Sequence, residues 1–157
     1  MDTLTRRTFL SGLALPMLSV AQTKRPNIVF IILDDLGFGD FGCYGQKLIQ
    51  TPNVDRFSKQ GMRFTDAYAG CTVCAPSRCA LMTGLHNGHG AIRANAGTAP
   101  ISAADVTLSN EMHKAGYKVG GFGKWGLGDK DTSGDPMKHG FDEFVGYYHQ
   151  VLAHELQ

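Results

Sequence analysis

The stretch that most restricts this chain is Asn27-Ile28-Val29-Phe30-Ile31-Ile32-Leu33, a continuous apolar run halted by Asp34-Asp35. It is rich in β-branched residues and shows no polar alternation, the pattern of a strand covered on both faces in a parallel sheet. Parallel strands need crossover connections, and the following residues offer helical candidates. Thr51-Pro52 opens a short helix, with Thr51 placed to cap and Pro52 in the first turn. Val54, Phe57 and Ser58 face inward by spacing, and Gly61 fits a left-handed stop. Residues 62–68 form a second strand candidate. A helix beginning near Pro76 and ending at Gly84 follows. Leu108, Met112 and Ala115 mark another helical face closed by Gly116, and residues 117–122 return as a third strand. The alternation predicts an α/β layer fold. Glycine is dense, 20 of 157 residues without a fixed period, which suits a site assembled from loops.

The two ends of the chemistry are narrowed by charge and by the N-terminus. Lys and Arg total 15 against 14 Asp and Glu, a formal charge of +1, so there is no basic footprint for nucleic acid. Thr5-Arg6-Arg7-Thr8-Phe9-Leu10 leads into an apolar stretch broken by small residues and Pro16, and Ser19-Val20-Ala21 offers a small-x-small cleavage site. A basic segment, a short apolar segment and that site describe a secretory signal. The stretch is shorter than the roughly 20 residues a bilayer span requires, so no membrane span is expected. The paired arginine resembles the twin-arginine export address. The expected organisation is an export signal over residues 1–21 and a mature segment over 22–157, handed to the export machinery for a periplasmic or secreted location.

In α/β sheets the ligand site lies beyond the carboxyl ends of the strands, and two clusters fall there. Asp34 and Asp35 are adjacent carboxylates that repel one another unless a cation or a proton lies between them. Oxygen ligands favour a hard divalent ion, Ca²⁺ or Mg²⁺, over zinc. Both can reach one ion only where the chain turns, and Leu36-Gly37 is the expected turn. The second cluster is Cys71-Thr72-Val73-Cys74-Ala75-Pro76-Ser77-Arg78-Cys79. Its cysteines permit a redox dithiol, half a zinc site, or structural disulfides with Cys43 in three connectivities. A helix opening at Pro76 would set Cys74 against unsatisfied N–H groups and the positive dipole end, a seat for an anion with Arg78 one turn on.

Cys74-Ala75-Pro76-Ser77-Arg78 followed by Leu81-Met82-Thr83-Gly84 resembles the signature of the formylglycine-dependent sulfatases, and its long, fixed spacing is far more specific than a bare Cys-x-x-Cys. Pro26 through Gly37 resembles that family's opening strand and first metal pair. Thr51-Pro52-Asn53-Val54-Asp55 and Gly61-Met62-Arg63-Phe64 resemble its next segments, and Gly123-Lys124-Trp125-Gly126-Leu127-Gly128 its lysine loop. The resemblance implies an α/β fold of alkaline-phosphatase type, a mixed sheet flanked by helices, incomplete in this chain. It implies hydrolysis of sulfate esters, a sulfated carbohydrate among them. Cys74 would be oxidised to formylglycine by a formylglycine-generating enzyme and hydrated. One hydroxyl would attack sulfur and the second would later expel sulfate. Asp34, Asp35 and the converted Cys74 would bind Ca²⁺, with Mg²⁺ the alternative. Arg78 would hold the hydrate and the carboxylates, and Lys124 would neutralise the sulfuryl group.

One departure is local: the family's lysine loop carries a histidine two residues after the lysine, where this chain has Gly126. His86, His89, His149 and His154 are the candidate substitutes. Arg93 is read as a surface arginine, Trp125 as core packing or a sugar platform, and Cys79 as buried packing. The other departure is length. The family's second metal pair and its downstream lysine and histidine have no counterpart before Gln157. The expectation is a fragment with an incomplete metal site and no activity of its own. The alternatives are a phosphonate or phosphodiester hydrolase of the same superfamily, a non-catalytic binding protein on the same frame, and a redox protein using Cys71 and Cys74.

Overall fold

A computed structural model of the protein describes residues 25–95 and 99–149; the expected export signal lies outside them. The chain divides into two units, Met1–Leu33 and Asp34–Gln157. In the first, residues 25–33 adopt no regular structure and have no ladder partner among the described residues. Val29 is 83% exposed and Ile31 77%. The buried strand expected over residues 27–33 is therefore not formed, because an extended apolar run becomes a strand only where neighbouring strands and covering helices take up its N–H groups and its two faces.

Among the described residues, the regular elements all lie in the second unit. Helix α1, Pro52–Ser58, begins with proline in its first turn as expected. The Thr51 hydroxyl accepts the Gly42 N–H at 2.8 Å and donates to Asp55 Oδ1 at 3.0 Å, which also takes the Cys43 N–H at 2.6 Å. The residue predicted to cap its own helix thus ties that helix to the short 3₁₀ turn Gly42–Tyr44. The helix closes through Lys59 rather than at Gly61, and Val54 and Phe57 stay exposed instead of facing a core. Residues 62–68 form no strand, and Met62, Phe64 and Tyr68 are exposed.

Helix α2, Cys74–Thr83, starts two residues before the predicted Pro76 and ends where Gly84 takes φ 69°, the left-handed stop. Helix α3, Leu108–Lys114, opens on Thr107, whose hydroxyl accepts the Asn110 N–H at 3.3 Å while Asn110 Oδ1 accepts the Thr107 N–H at 2.9 Å, a reciprocal capping box. Strands β1, Gly120–Lys124, and β2, Glu143–Tyr147, pair in parallel with Gly120 opposite Glu143 and Lys124 opposite Tyr147. The predicted third strand is therefore real but displaced toward Lys124. Its backbone approaches β2 so closely that a Cβ on Gly146 would meet the Gly123 carbonyl oxygen. That approach requires glycine at 146, while in β1 a Cβ on Gly121 would run into the Phe141 and Phe144 rings and Gly123 takes φ 102°, so these strand positions carry glycine rather than β-branched residues.

The core joins α2 to the loops on either side of β1. Ala75, Cys79, Ile92, Ile101, Trp125 and Leu127 are buried together, with Met82, Phe141 and Phe144 packed against them. Cys79 is core packing, as expected. Trp125 is packing as well: its ring meets Phe141 edge-on at 5.5 Å and its Nε1–H donates to the Gly134 carbonyl at 2.8 Å. Beneath them, the Thr107 and Ser109 hydroxyls both donate to the buried His139 carbonyl, at 3.0 and 2.5 Å. His139 in turn faces the Ser133 carbonyl through Nε2 at 2.9 Å. These bonds lock the segment leading into β2 onto the start of α3.

Candidate metal and anion site

The site is assembled by three pieces far apart in the chain: the Asp34-Asp35 doublet, the first turn of α2 and the last residue of β1. Asp35 has φ 56°, in the left-handed region that aspartate tolerates better than most residues. The turn that allows neighbouring carboxylates to converge therefore lies at Asp35 itself rather than at Leu36-Gly37. Cys74, first residue of α2, completes the cluster: its sulfur and one oxygen of each carboxylate lie within 4.8 Å of one another.

Arg78 and Lys124 surround Asp34. The Arg78 Nη2 lies 3.3 Å from Asp34 Oδ1, and the Lys124 Nζ lies 2.5 Å from Asp34 Oδ2. Each carboxylate oxygen thus carries one cation. Arg78 also donates through Nη1 to the Lys124 carbonyl, which staples α2 to the end of β1. The Lys124 side chain is only 8% exposed. Burial tends to raise the Asp34 pKa, but Lys124 and Arg78 outweigh it and hold the carboxyl below the usual 3.8. Arg78 Nε is buried and has no partner among the described residues, an open donor in a cluster already suited to anions. The two carboxylates and two cations cancel, so a divalent cation bound here would leave the site positive and attractive to an anionic ester.

The seat at the start of α2 differs from expectation. Four N–H groups at a helix start lack intrahelical partners, but Pro76 has none to offer, and the N–H of Ala75 is taken by Asn95 Oδ1 at 3.0 Å. The Ser77 N–H bonds the Val73 carbonyl at 3.0 Å. The cationic groups an anion would meet here are mainly the Arg78 and Lys124 side chains. Asn95 carried no signal in the sequence, since its partner lies twenty residues upstream.

Gly126 has φ 77° and donates its N–H to the Tyr148 carbonyl at 2.9 Å. His149 lies two residues beyond the end of β2. His86 accepts the Gly88 N–H through Nδ1 at 3.1 Å, and its ring faces that of His89 edge-on at 6.4 Å. His154 lies outside the described residues. The Arg93 guanidinium is occupied by the Gly88 and Gly90 carbonyls at 2.8 and 3.2 Å. All four cysteines are free thiols, so none of the three disulfide connectivities is formed. No helix among the described residues is long and apolar enough to cross a membrane.

Residues 26–154 match the family model described as Sulfatase. The chain is 39% identical over 140 residues to arylsulfatase D of Homo sapiens, covering 80% of this chain and 24% of that protein. It is 42% identical over 113 residues to N-acetylgalactosamine-6-O-sulfatase of Bacteroides thetaiotaomicron, covering 68% of this chain and 22% of the relative. Among solved structures, that of Ps i-CgsB superposes with a TM-score of 0.71 at 36% identity, over 80% of this chain and 29% of its own. The chain spans about a quarter of the length of the curated relatives it matches.

Proposed function

The chain belongs to the sulfatase family, and from that premise we propose that it carries the nucleophile and the first metal pair of a sulfuric ester hydrolase. The α/β arrangement around β1 and β2 is part of the alkaline-phosphatase-like fold of its structural neighbours. The observation that supports this reading best is the convergence of Asp34, Asp35 and Cys74 beside Arg78 and Lys124. The substrate class proposed is a sulfated carbohydrate, in keeping with the sugar sulfatase among the relatives.

The residues present fit a hard divalent ion in part. Two carboxylates supply hard oxygens, whereas the sulfur of an unconverted Cys74 is a soft donor poorly suited to Ca²⁺ or Mg²⁺. Conversion of Cys74 to formylglycine by a separate enzyme would replace that sulfur with oxygen and complete a hard donor set from Asp34, Asp35 and residue 74. The ion so held would supply Lewis-acid activation and a lowered hydroxyl pKa, and the hydrated aldehyde a nucleophile. Arg78 keeps Asp34 ionised and oriented, and its unpartnered Nε–H is available to an anion. Lys124, fixed between Asp34 and the β1 terminus, stabilises negative charge that grows on the transferring group. Gly126 offers no side chain to this chemistry.

The test is mass spectrometry of the peptide containing Cys74, taken from the protein produced in its native host. An aldehyde at residue 74 is the expected result, and a quantitatively unmodified thiol overturns the catalytic reading. Paired assays on a sulfated and a phosphorylated ester of one alcohol then decide the reaction class; preference for phosphorus would move the protein to the superfamily's phosphoryl branch. Export is proposed on residues 5–21 alone. N-terminal sequencing of the protein recovered from the cell envelope should begin at Gln22, and an intact Met1 would refute processing.

A further inference from the structure

We infer that Asn95 is a positioning residue for Cys74, holding the first turn of α2 so that the residue 74 side chain faces Asp34 and Asp35. After Gly84 the chain turns back along the helix. The His89 and Gly90 N–H groups both bond the His86 carbonyl, at 2.7 and 3.0 Å. Gly90 lies where an added Cβ would sit 3.5 Å from Cys79 Sγ, so the backbone runs against the helix. Ile92, 2% exposed, enters the same buried cluster as Ala75 and Cys79. Arg93 locks the turn through the Gly88 and Gly90 carbonyls. The segment then delivers Asn95, half-buried, to the Ala75 N–H at 3.0 Å.

Val73, the residue before the helix, makes no side-chain cap, and Asn95 performs that service from twenty residues away. The bonded N–H belongs to the rigid peptide plane between Cys74 and Ala75. Holding that plane, together with the Ser77 N–H bond to the Val73 carbonyl that spans the same turn, restricts ψ of Cys74 and so the direction in which its side chain leaves the backbone. The oxygen of Asn95 alone is needed for this role. The inference depends on the sulfatase reading only for its kinetic readout.

The test compares Asn95→Ala, which removes the acceptor, with Asn95→Asp, which keeps it, both in the full-length enzyme. In Asn95→Ala the Ala75 amide should exchange at least about tenfold faster, since a local rather than global opening exposes it. Turnover on a sulfate ester should fall roughly 10- to 100-fold in kcat, as misplacement of a reacting group predicts, with KM little changed. Asn95→Asp should restore slow exchange and most of kcat while raising KM, because its charge repels an anionic substrate. Wild-type exchange and kcat in Asn95→Ala would overturn the inference, as would equal losses in both variants. If Asn95→Ala does not fold, the exchange of Ala75 in Asn95→Asp decides: slow supports, fast overturns. If the full-length wild-type enzyme hydrolyses no sulfate ester, that reading fails by itself. Ala75 exchange, and the rate at which iodoacetamide alkylates unconverted Cys74, then still test the positioning.

Discussion

Replacing Asp34 by asparagine is expected to abolish turnover in the complete enzyme, by on the order of 10³-fold or more, and to destabilise the chain as well. The two effects have one origin. Asp34 is the shared counter-ion of Lys124 at 2.5 Å and Arg78 at 3.3 Å. Its neutral isostere would leave two cations facing each other, and the Lys124 side chain is nearly buried. Removing one partner of a fully buried pair costs several kcal/mol. Asp34 itself is 42% exposed, so water screens the remainder and about 1–3 kcal/mol is the reasonable scale. Thermal unfolding of both proteins across pH measures this. The Asp34 carboxyl is held below the usual 3.8, so its stabilisation is fully present above that value and is lost as pH falls through the lower folded value. The gap between wild type and Asp34→Asn should therefore be constant through neutral pH and close only in strong acid. A gap that closes near neutrality would show that the ion pairs do not hold this carboxylate.

Trp125→Ala should be the most destabilising single change in the core, by about 3–5 kcal/mol. The indole is 4% exposed and is wedged against Phe141 and Phe144 at centroid distances of 5.5 and 6.2 Å. It also satisfies the Gly134 carbonyl. Trp125→Phe separates the two contributions: it keeps most of the packing and loses the hydrogen bond, for about 1 kcal/mol plus the smaller ring's deficit. Urea unfolding of the three proteins gives both numbers. A loss well under 2 kcal/mol in Trp125→Ala would mean that the aromatic cluster is not the keystone of this unit. The change also reaches the site, because Trp125 follows Lys124 directly and bonds the Tyr147 carbonyl through its N–H at 2.9 Å. Loosening it frees the end of β1 that presents Lys124 to Asp34.

Helix starts and stops were legible because they depend on residues one turn apart. Pro52 in a first turn, Gly84 as a left-handed stop and Gly116 beyond the third helix could all be read from the chain, and all three adopt the conformation those roles require. Gly61 was misread for an equally local reason: Lys59 closes α1 by bonding the Arg56 and Phe57 carbonyls, so no left-handed residue is needed. Strands were less legible. Residues 27–33 and 62–68 have the composition of strands, yet the described structure gives them no ladder. Glycine-rich Gly120–Lys124, with lower β propensity, does pair with β2, its Gly121 clearing the Phe141 and Phe144 rings and its Gly123 taking φ 102°.

The candidate site divides along the same line. Asp34, Asp35, Cys74 and Arg78 could be picked out from residue type and spacing, whereas Lys124 was indicated only by the resemblance of its loop to the sulfatase family. Their convergence could not be read in this way. Asp34 and Arg78 are separated by 44 positions and Arg78 and Lys124 by 46, and no local preference encodes a contact across such distances. The bond from Arg78 to the end of β1 brings them together, a left-handed Asp35 lets both carboxylates approach Cys74, and Asn95 returns along the helix to hold the residue after Cys74. The sequence alone determined which functional groups the protein possesses and, to within a turn, where the described helices begin and end, since both follow from side-chain chemistry and nearest neighbours. The tertiary structure alone decided which runs become strands and which charges share a site, since hydrogen-bond ladders and ion pairs exist only between partners that packing has made neighbours.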